Sequence, residues 1–145
     1  MTQAIAYLGF NGNCAEAMRF YERTLGLGAK LELLLRGADT PMAEQIAAEH
    51  RQRIIHARLR FEDGSYLFAG DAPAQVPYEG IRSVSIVMNY PTVAEAGRVF
   101  QELAEDGRVT MPQQPTMWAR SCGMVLDRFG TPWIINGELQ GEYAL

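Results

Sequence analysis

Four polar residues stand at every second position of one short stretch, and they are His56, Arg58, Arg60 and Glu62. They alternate with four apolar residues, which are Ile55, Ala57, Leu59 and Phe61. Because successive side chains of a β-strand point to opposite faces, this pattern predicts a strand with one face on the core and one polar face. An imidazole exchanges protons near neutral pH, and guanidinium groups bind carboxylates. The polar face is therefore a candidate site for an anionic small molecule.

The same residues allow a purely structural interpretation. A histidine on a strand often serves only as a hydrogen-bonded structural residue. Arg58 and Arg60 can pair with Glu62 and Glu32 on a hydrated sheet face. The sequence leaves both interpretations open.

Further candidate residues come from other parts of the chain. Ser85 alternates with apolar residues in a second predicted strand and can extend the polar lining. Trp118, in a loop before a strand, is a candidate wall of the same cavity, since small-molecule sites are mostly apolar with a few polar groups. The predicted ligand-binding set is His56, Arg58, Arg60, Glu62, Ser85 and Trp118. No catalytic residue is assigned.

Composition limits the classes of function. The chain has 145 residues and a formal net charge of −4, so no basic surface for nucleic acid is expected. No apolar run approaches the roughly 20 residues that cross a bilayer, and the N-terminus lacks the pattern of a signal peptide. Cys14 and Cys122 lie far apart without metal-ligand spacing. Free thiols favour a cytoplasmic location. Because of the acidic net charge and the lack of a long apolar run, we expect neither nucleic acid nor a membrane as a partner.

The first half of the chain predicts a strand, a helix, a second strand and a hairpin. Asn13 is the expected N-cap of the helix, with Glu16 completing a capping box. A polar stretch around residues 41–52 predicts a short helical insert after the second strand. Asp63 and Gly64 form the expected hairpin turn.

The second half repeats this order. Phe20 and Phe100 occupy equivalent helix positions 80 residues apart, whereas Gly64 and Gly130 occupy equivalent turns 66 residues apart. The difference of 14 is close to the length of the polar insert, so removing the insert superposes the halves.

The repeat predicts an α+β fold with two βαβββ modules. We expect one domain over residues 1–145, with module one at about 1–72 and module two at about 80–140. The modules should form a curved mixed sheet around a cavity, with the short helical insert in the first module.

Three segments resemble the vicinal oxygen chelate superfamily, which includes glyoxalase I, bleomycin-resistance proteins and extradiol dioxygenases. They read YLGFNGNCAEAMRFYERTLG, HARLRFEDGSYLFAGD and GMVLDRFGTPWIIN, and they are most similar to the PhnB-like branch. That branch often carries a 3-demethylubiquinone methyltransferase label, but the chain lacks the glycine-rich turn that such enzymes use. The resemblance implies a dimer and a ligand cavity.

Metal-dependent members of that superfamily carry His or Glu on the first and last strands of each module. The matching positions here fall near Ala6 or Tyr7, Phe68 or Ala69, Ser83 or Ser85, and Ile134 or Ile135. None of them is a histidine or a carboxylate, so no metal and no other cofactor is predicted.

Three functions remain open. The first, which we favour, is metal-free binding of a small, anionic molecule by a homodimer. The second is a glyoxalase- or dioxygenase-type enzyme whose metal is held by a non-standard set such as His56 with Glu62 or Asp71. The third is a dimerisation module without a ligand.

Overall fold

The computed structural model describes residues 2–145 and forms two compact units, one up to Gly80 and one from Ile81 onward. The elements of the first unit are β1 (Tyr7–Phe10), α1 (Cys14–Thr24), β2 (Lys30–Arg36), β3 (Ile54–Arg60) and β4 (Tyr66–Asp71). Those of the second are β5 (Ile86–Tyr90), α2 (Val93–Ala104), β6 (Arg108–Gln114), β7 (Ala119–Leu126) and β8 (Pro132–Leu139). The predicted α+β class with two βαβββ modules is confirmed.

Each unit contains one four-stranded mixed sheet. The strand orders are β1-β4-β3-β2 and β5-β8-β7-β6, and the first two strands of each sheet are parallel. Tyr7 pairs with Phe68 in the first sheet. Val87, 80 positions after Tyr7, pairs with Ile134, 66 positions after Phe68. The strand registers therefore repeat with the two offsets that the sequence predicts.

The helix of each unit packs on one face of its sheet. On α1 the apolar stripe of Cys14, Ala17, Met18 and Tyr21 is fully buried, as its helical spacing predicts. Burial also raises the pKa of the Cys14 thiol to about 12. This thiol is therefore part of the core and stays protonated.

The start of α1 is held by a carboxylate from a distant strand. Asp71 Oδ1 accepts hydrogen bonds from the backbone N–H groups of Gly12 at 2.7 Å and Cys14 at 3.1 Å, and Oδ2 accepts one from Ile54 N–H at 2.7 Å. The Asn13 side chain makes no capping bond within the part of the chain that is described, so the predicted capping box was wrong. Asp71 satisfies these donors instead and joins the ends of three elements.

The predicted helical insert is not an α-helix. It consists of three single turns of 3₁₀ helix, at Gly37–Asp39, Ala43–Gln45 and Ala48–His50. The Thr40 side chain makes two hydrogen bonds within this segment. Its hydroxyl accepts from Met42 N–H at 3.3 Å and donates to the Gly37 carbonyl at 2.8 Å. Short turns of this kind are common as connectors.

The side-chain alternation of β3 breaks at its beginning. Arg36 pairs with Ile54 but Leu35 pairs with His56, so Ile55 is the extra residue of a β-bulge. As a result Ile54 is buried, with 1% of its surface exposed, and Ile55 is 43% exposed. The prediction that Ile55 faces the core with Ala57 was wrong.

We expect Asp71→Asn to lower the free energy of unfolding by about 2 kcal/mol, because the amide turns a donor towards a backbone N–H that needs an acceptor. Urea unfolding followed by circular dichroism measures this change. The exposed Asp39 is the matched control, and Asp39→Asn should cost less than about 0.5 kcal/mol. Equal losses for the two variants would contradict the role of Asp71.

Candidate functional site

The face of the first sheet that points away from α1 carries aromatic and cationic side chains. Strand register places nine residues there, namely the two leucines Leu33 and Leu35 and the seven aromatic or cationic residues Tyr7, Lys30, His56, Arg58, Arg60, Tyr66 and Phe68. We call this set the aromatic–cationic face. The aromatic side chains come mainly from β1 and β4, and the cationic ones from β3 and β2. The surface thus offers ring stacking beside positive charge.

A chain of hydrogen bonds orders the centre of this face. Arg58 Nε donates to His56 Nε2 at 3.1 Å, and His56 Nδ1 lies 3.4 Å from the Tyr7 hydroxyl. The Tyr7 hydroxyl in turn donates to the Ile55 carbonyl at 3.0 Å. Because a guanidinium only donates, His56 Nε2 must accept, which assigns the proton of the neutral ring to Nδ1.

Aromatic contacts also hold His56 and Arg58 in place. The rings of Tyr7 and His56 are stacked, with centroids 5.7 Å apart, and Phe68 meets His56 edge-on at 4.9 Å. The Arg58 guanidinium carbon lies 5.6 Å from the centre of the Phe68 ring, within the range of a cation–π contact. His56 and Arg58 are therefore oriented before any ligand arrives.

Burial and the nearby Arg58 charge lower the pKa of His56. Burial also raises the pKa of the Tyr7 hydroxyl. At neutral pH both side chains are uncharged, so the positive charge of the face resides on its arginines and Lys30.

Among the described residues, the two arginines of the face form no ion pair. Within residues 2–145, the ion pairs involve other residues and include neither Arg58 nor Arg60. Glu32 and Glu62 surround a shallow depression with Arg60, yet neither lies within the 4.0 Å of an ion pair. Glu62 also lies beyond the end of β3, where its backbone N–H donates to the Leu27 carbonyl. The predicted pairing of the arginines with glutamates is thus not seen in the described chain.

A groove of about 680 Å³ adjoins the face within the first unit. The groove begins on the sheet at Tyr7, Gly9 and Gly70. The 3₁₀ insert supplies one wall through Met42, Ile46 and Ala47. Sequence reasoning missed these insert residues because the segment looked polar and peripheral. The signal in the sequence was the pair of large apolar residues Met42 and Ile46, which lie four positions apart within the insert.

Tyr7 separates the groove from the aromatic–cationic face and belongs to both. A Cβ atom on Gly70 would lie 2.6 Å from the Tyr7 hydroxyl oxygen, so only glycine lets the tyrosine ring lie across β4. The ring is still 54% exposed. A bound molecule could therefore contact Tyr7 from either side.

The equivalent face of the second unit has different chemistry. By register, Cys122 corresponds to His56, Asn89 to Gly9, and Asn136 to Gly70. Asn136 Oδ1 accepts from the Trp118 indole N–H at 3.3 Å, and its Nδ2 donates to Asn89 Oδ1 at 2.9 Å. Cys122 is fully buried, and burial raises its pKa. Met124 and Leu126 take the places of Arg58 and Arg60, whereas Arg108 keeps a cation at the place of Lys30.

The two predicted site residues of the second unit do not meet. Ser85 is exposed and precedes β5, whose first residue, Ile86, pairs with Trp133. Trp118 is half-buried and bonds to Asn136, three residues further along β8. Three residues of a strand span about 10 Å, and this distance along β8 separates Ser85 from Trp118. Of the predicted set, the structure brings His56 and Arg58 into contact, with Arg60 next to them on the same strand face.

The residues present do not fit a divalent metal at the positions that the superfamily uses. The register places these positions at Tyr7 and Phe68 in one sheet and at Val87, not Ser83 or Ser85, beside Ile134 in the other. No three His, Cys, Asp or Glu side chains group together within residues 2–145. The oxygens of Asp71 accept backbone N–H groups of Gly12, Cys14 and Ile54, which ties this carboxylate to the starts of α1 and β3.

Two βαβββ modules with matching registers define a particular class of protein. The chain belongs to the Glyoxalase/Bleomycin resistance protein/Dioxygenase superfamily, whose sequence pattern matches residues 5–135. The predicted membership is confirmed.

Particular relatives narrow this further. The chain is 34% identical over 139 residues to Protein YjdN of Escherichia coli K12, covering 90% of this chain and 91% of that one. It is 44% identical to protein PA1353 of Pseudomonas aeruginosa, whose crystal structure has a TM-score of 0.85 over 95% of this chain and 98% of that one.

The fold extends to a Bacillus cereus protein described as a putative 3-demethylubiquinone-9 3-methyltransferase, PhnB protein. That structure has 22% identity and a TM-score of 0.74, with 93% of this chain and 98% of that one covered. The resemblance to PhnB-like proteins is thereby confirmed at the level of fold. Across residues 2–145, none of the helices has the length and apolar character that spanning a membrane requires.

We expect NMR titration to give His56 a pKa below 6.5, and Arg58→Gln to raise it because a neighbouring positive charge is lost. Since the folded pKa is lower than the unfolded one, neutral His56 supports the fold fully above about pH 6.5 and this support is lost as the pH falls through the folded pKa. Arg19→Gln, on the exposed side of α1, is the control and should leave the titration unchanged. A His56 pKa at or above 6.5 would contradict this electrostatic description.

Proposed function

We propose that the protein binds a small organic anion on the aromatic–cationic face of its first module. The observation that carries the proposal is the orientation of Arg58, which His56 and Phe68 hold while no carboxylate within the described residues pairs with it. Oriented charge of this kind costs less to order when a ligand binds. A guanidinium that is left unpaired beside aromatic rings is typical of a ligand site.

The geometry favours a planar anion such as a carboxylate. The bond to His56 uses Nε of Arg58, which leaves the two Nη groups for two parallel hydrogen bonds to carboxylate oxygens. An aromatic or otherwise flat ligand can then stack beside Tyr7 and Phe68. Arg60 and Lys30, which pair across β3 and β2, add positive potential next to this position.

Benzoate is a suitable probe because it combines a carboxylate with a ring. We expect a dissociation constant on the order of 1 mM for so small a molecule, measured by chemical-shift titration. Arg58→Gln should weaken binding by roughly 10-fold or more, since it removes a charge-assisted bidentate contact. Arg19→Gln removes the same charge from the opposite side of the unit and should change the affinity less than about twofold. Equal effects of the two variants, or no shifts with benzoate, would refute the proposal.

We also propose a homodimer. Each sheet ends in two edge strands, β1 and β2 in one and β5 and β6 in the other, which the described chain leaves unpaired in its sheets. Exposed edges are commonly covered by association with another copy. Sedimentation equilibrium should give twice the chain mass of 16.1 kDa. A single 16.1 kDa species at micromolar concentration would contradict the dimer.

We place this binding activity in the cytoplasm. Both cysteines are buried as free thiols, and free thiols are typical of reducing compartments. Localisation of a fluorescently tagged chain in cells tests this assignment directly.

A further inference from the structure

The apolar groove and the aromatic–cationic face are continuous through Tyr7. Tyr7 lines the groove, its hydroxyl contacts His56, and His56 accepts a hydrogen bond from Arg58. We infer that one ligand occupies both, and that it is an anionic amphiphile with its carboxylate on Arg58 and an apolar tail in the groove. The inference rests on the proposed function for the position of the carboxylate.

The lining of the groove favours an apolar tail. Its ionic groups are already bonded, because Asp71 accepts three backbone N–H groups and Arg53 donates to the Ala72 carbonyl at 3.1 Å and to Asn11 Oδ1 at 2.9 Å. The remaining wall is mostly hydrocarbon, and its polar side chains are those of Gln45, His50 and Gln75. Its apolar residues are Met42, Ile46, Ala47, Ile54, Ile55, Ala72, Pro73 and Ala74. An apolar tail therefore matches the larger part of this wall.

Large apolar side chains face water in this groove. Met42 is 55% exposed, and the β-bulge turns Ile55 out of the core and into the groove wall. Bulges often redirect a side chain next to a functional site. A tail that covers these two side chains removes apolar surface from water, which stabilises the complex.

The spacing suits a ligand of moderate length. Successive residues on one strand face are about 6.6 Å apart, so Arg58 lies one such step beyond His56, and Ile55, the residue before His56, lines the groove. A chain of several methylene groups therefore connects a carboxylate at Arg58 with the wall at Met42.

Straight-chain carboxylates test the inference. We expect affinity to rise roughly three- to fourfold per methylene from hexanoate to decanoate, measured by calorimetry, as each methylene becomes buried. Decanol, which lacks the charge, should bind more weakly than decanoate by about the factor that Arg58→Gln costs.

Met42→Gln should flatten this dependence on chain length and leave benzoate binding unchanged, because the residue contacts only the tail. Met42 is exposed, so the substitution should not impair folding. Met117→Gln is the matched control, since Met117 is 71% exposed on the second unit, and it should preserve the full dependence.

The outcomes separate the two proposals. Benzoate binding that depends on Arg58, with no gain from hexanoate to decanoate, would overturn the amphiphile inference and leave the proposed function standing. A gain with chain length that Met42→Gln does not reduce would also overturn it. Decanoate binding that is unaffected by Arg58→Gln would overturn the amphiphile inference, and it would refute both proposals if benzoate binding is also unaffected. A gain with length that depends on both Arg58 and Met42 supports both.

Discussion

The carboxylate of Asp71 connects the end of β4 with the beginnings of α1 and β3. Its oxygens accept three backbone N–H groups that would otherwise lack partners at the ends of these elements. The bond to Ile54 N–H falls next to the β-bulge that sets the side-chain alternation of β3. Asp71 thus anchors the backbone immediately before the point where Ile55 leaves the core and where His56 begins the aromatic–cationic face.

The two modules show how one backbone can carry different chemistry. Equivalent strands keep the same registers, yet His56 of the first module corresponds to Cys122 of the second, and Gly70 corresponds to Asn136. A glycine at position 70 gives space to a tyrosine ring, whereas an asparagine at 136 builds an amide network with Trp118. The core residues preserve the fold, and the open face of each sheet is free to diverge.

Local patterns were sufficient to predict much of this architecture. The 80- and 66-residue offsets predicted the repeated modules, and the Asp63-Gly64 pair predicted a turn in which Gly64 has a φ of +89°. The alternation in β3 correctly placed His56, Arg58 and Arg60 on one face, since strand periodicity is a local property.

The remaining predictions were wrong because distant parts of the chain determine those features. The cap of α1 comes from Asp71, 57 residues after Cys14, and nothing near Asn13 reveals it. The bulge that exposes Ile55 depends on pairing with β2 across the insert. The groove wall is built by an insert that folds back onto the sheet. The role of its apolar residues as a groove wall follows from this tertiary arrangement and not from local sequence.

The burial of both cysteines has a practical consequence for chemical labelling. Burial raises the pKa of Cys14 to about 12 and also raises the pKa of Cys122, so both thiols are protonated at pH 7, and both are buried. Electrophiles such as maleimides react with thiolates, so the native chain offers them almost no target. A single cysteine introduced on the surface would thus accept a fluorophore selectively while both native thiols stay in place.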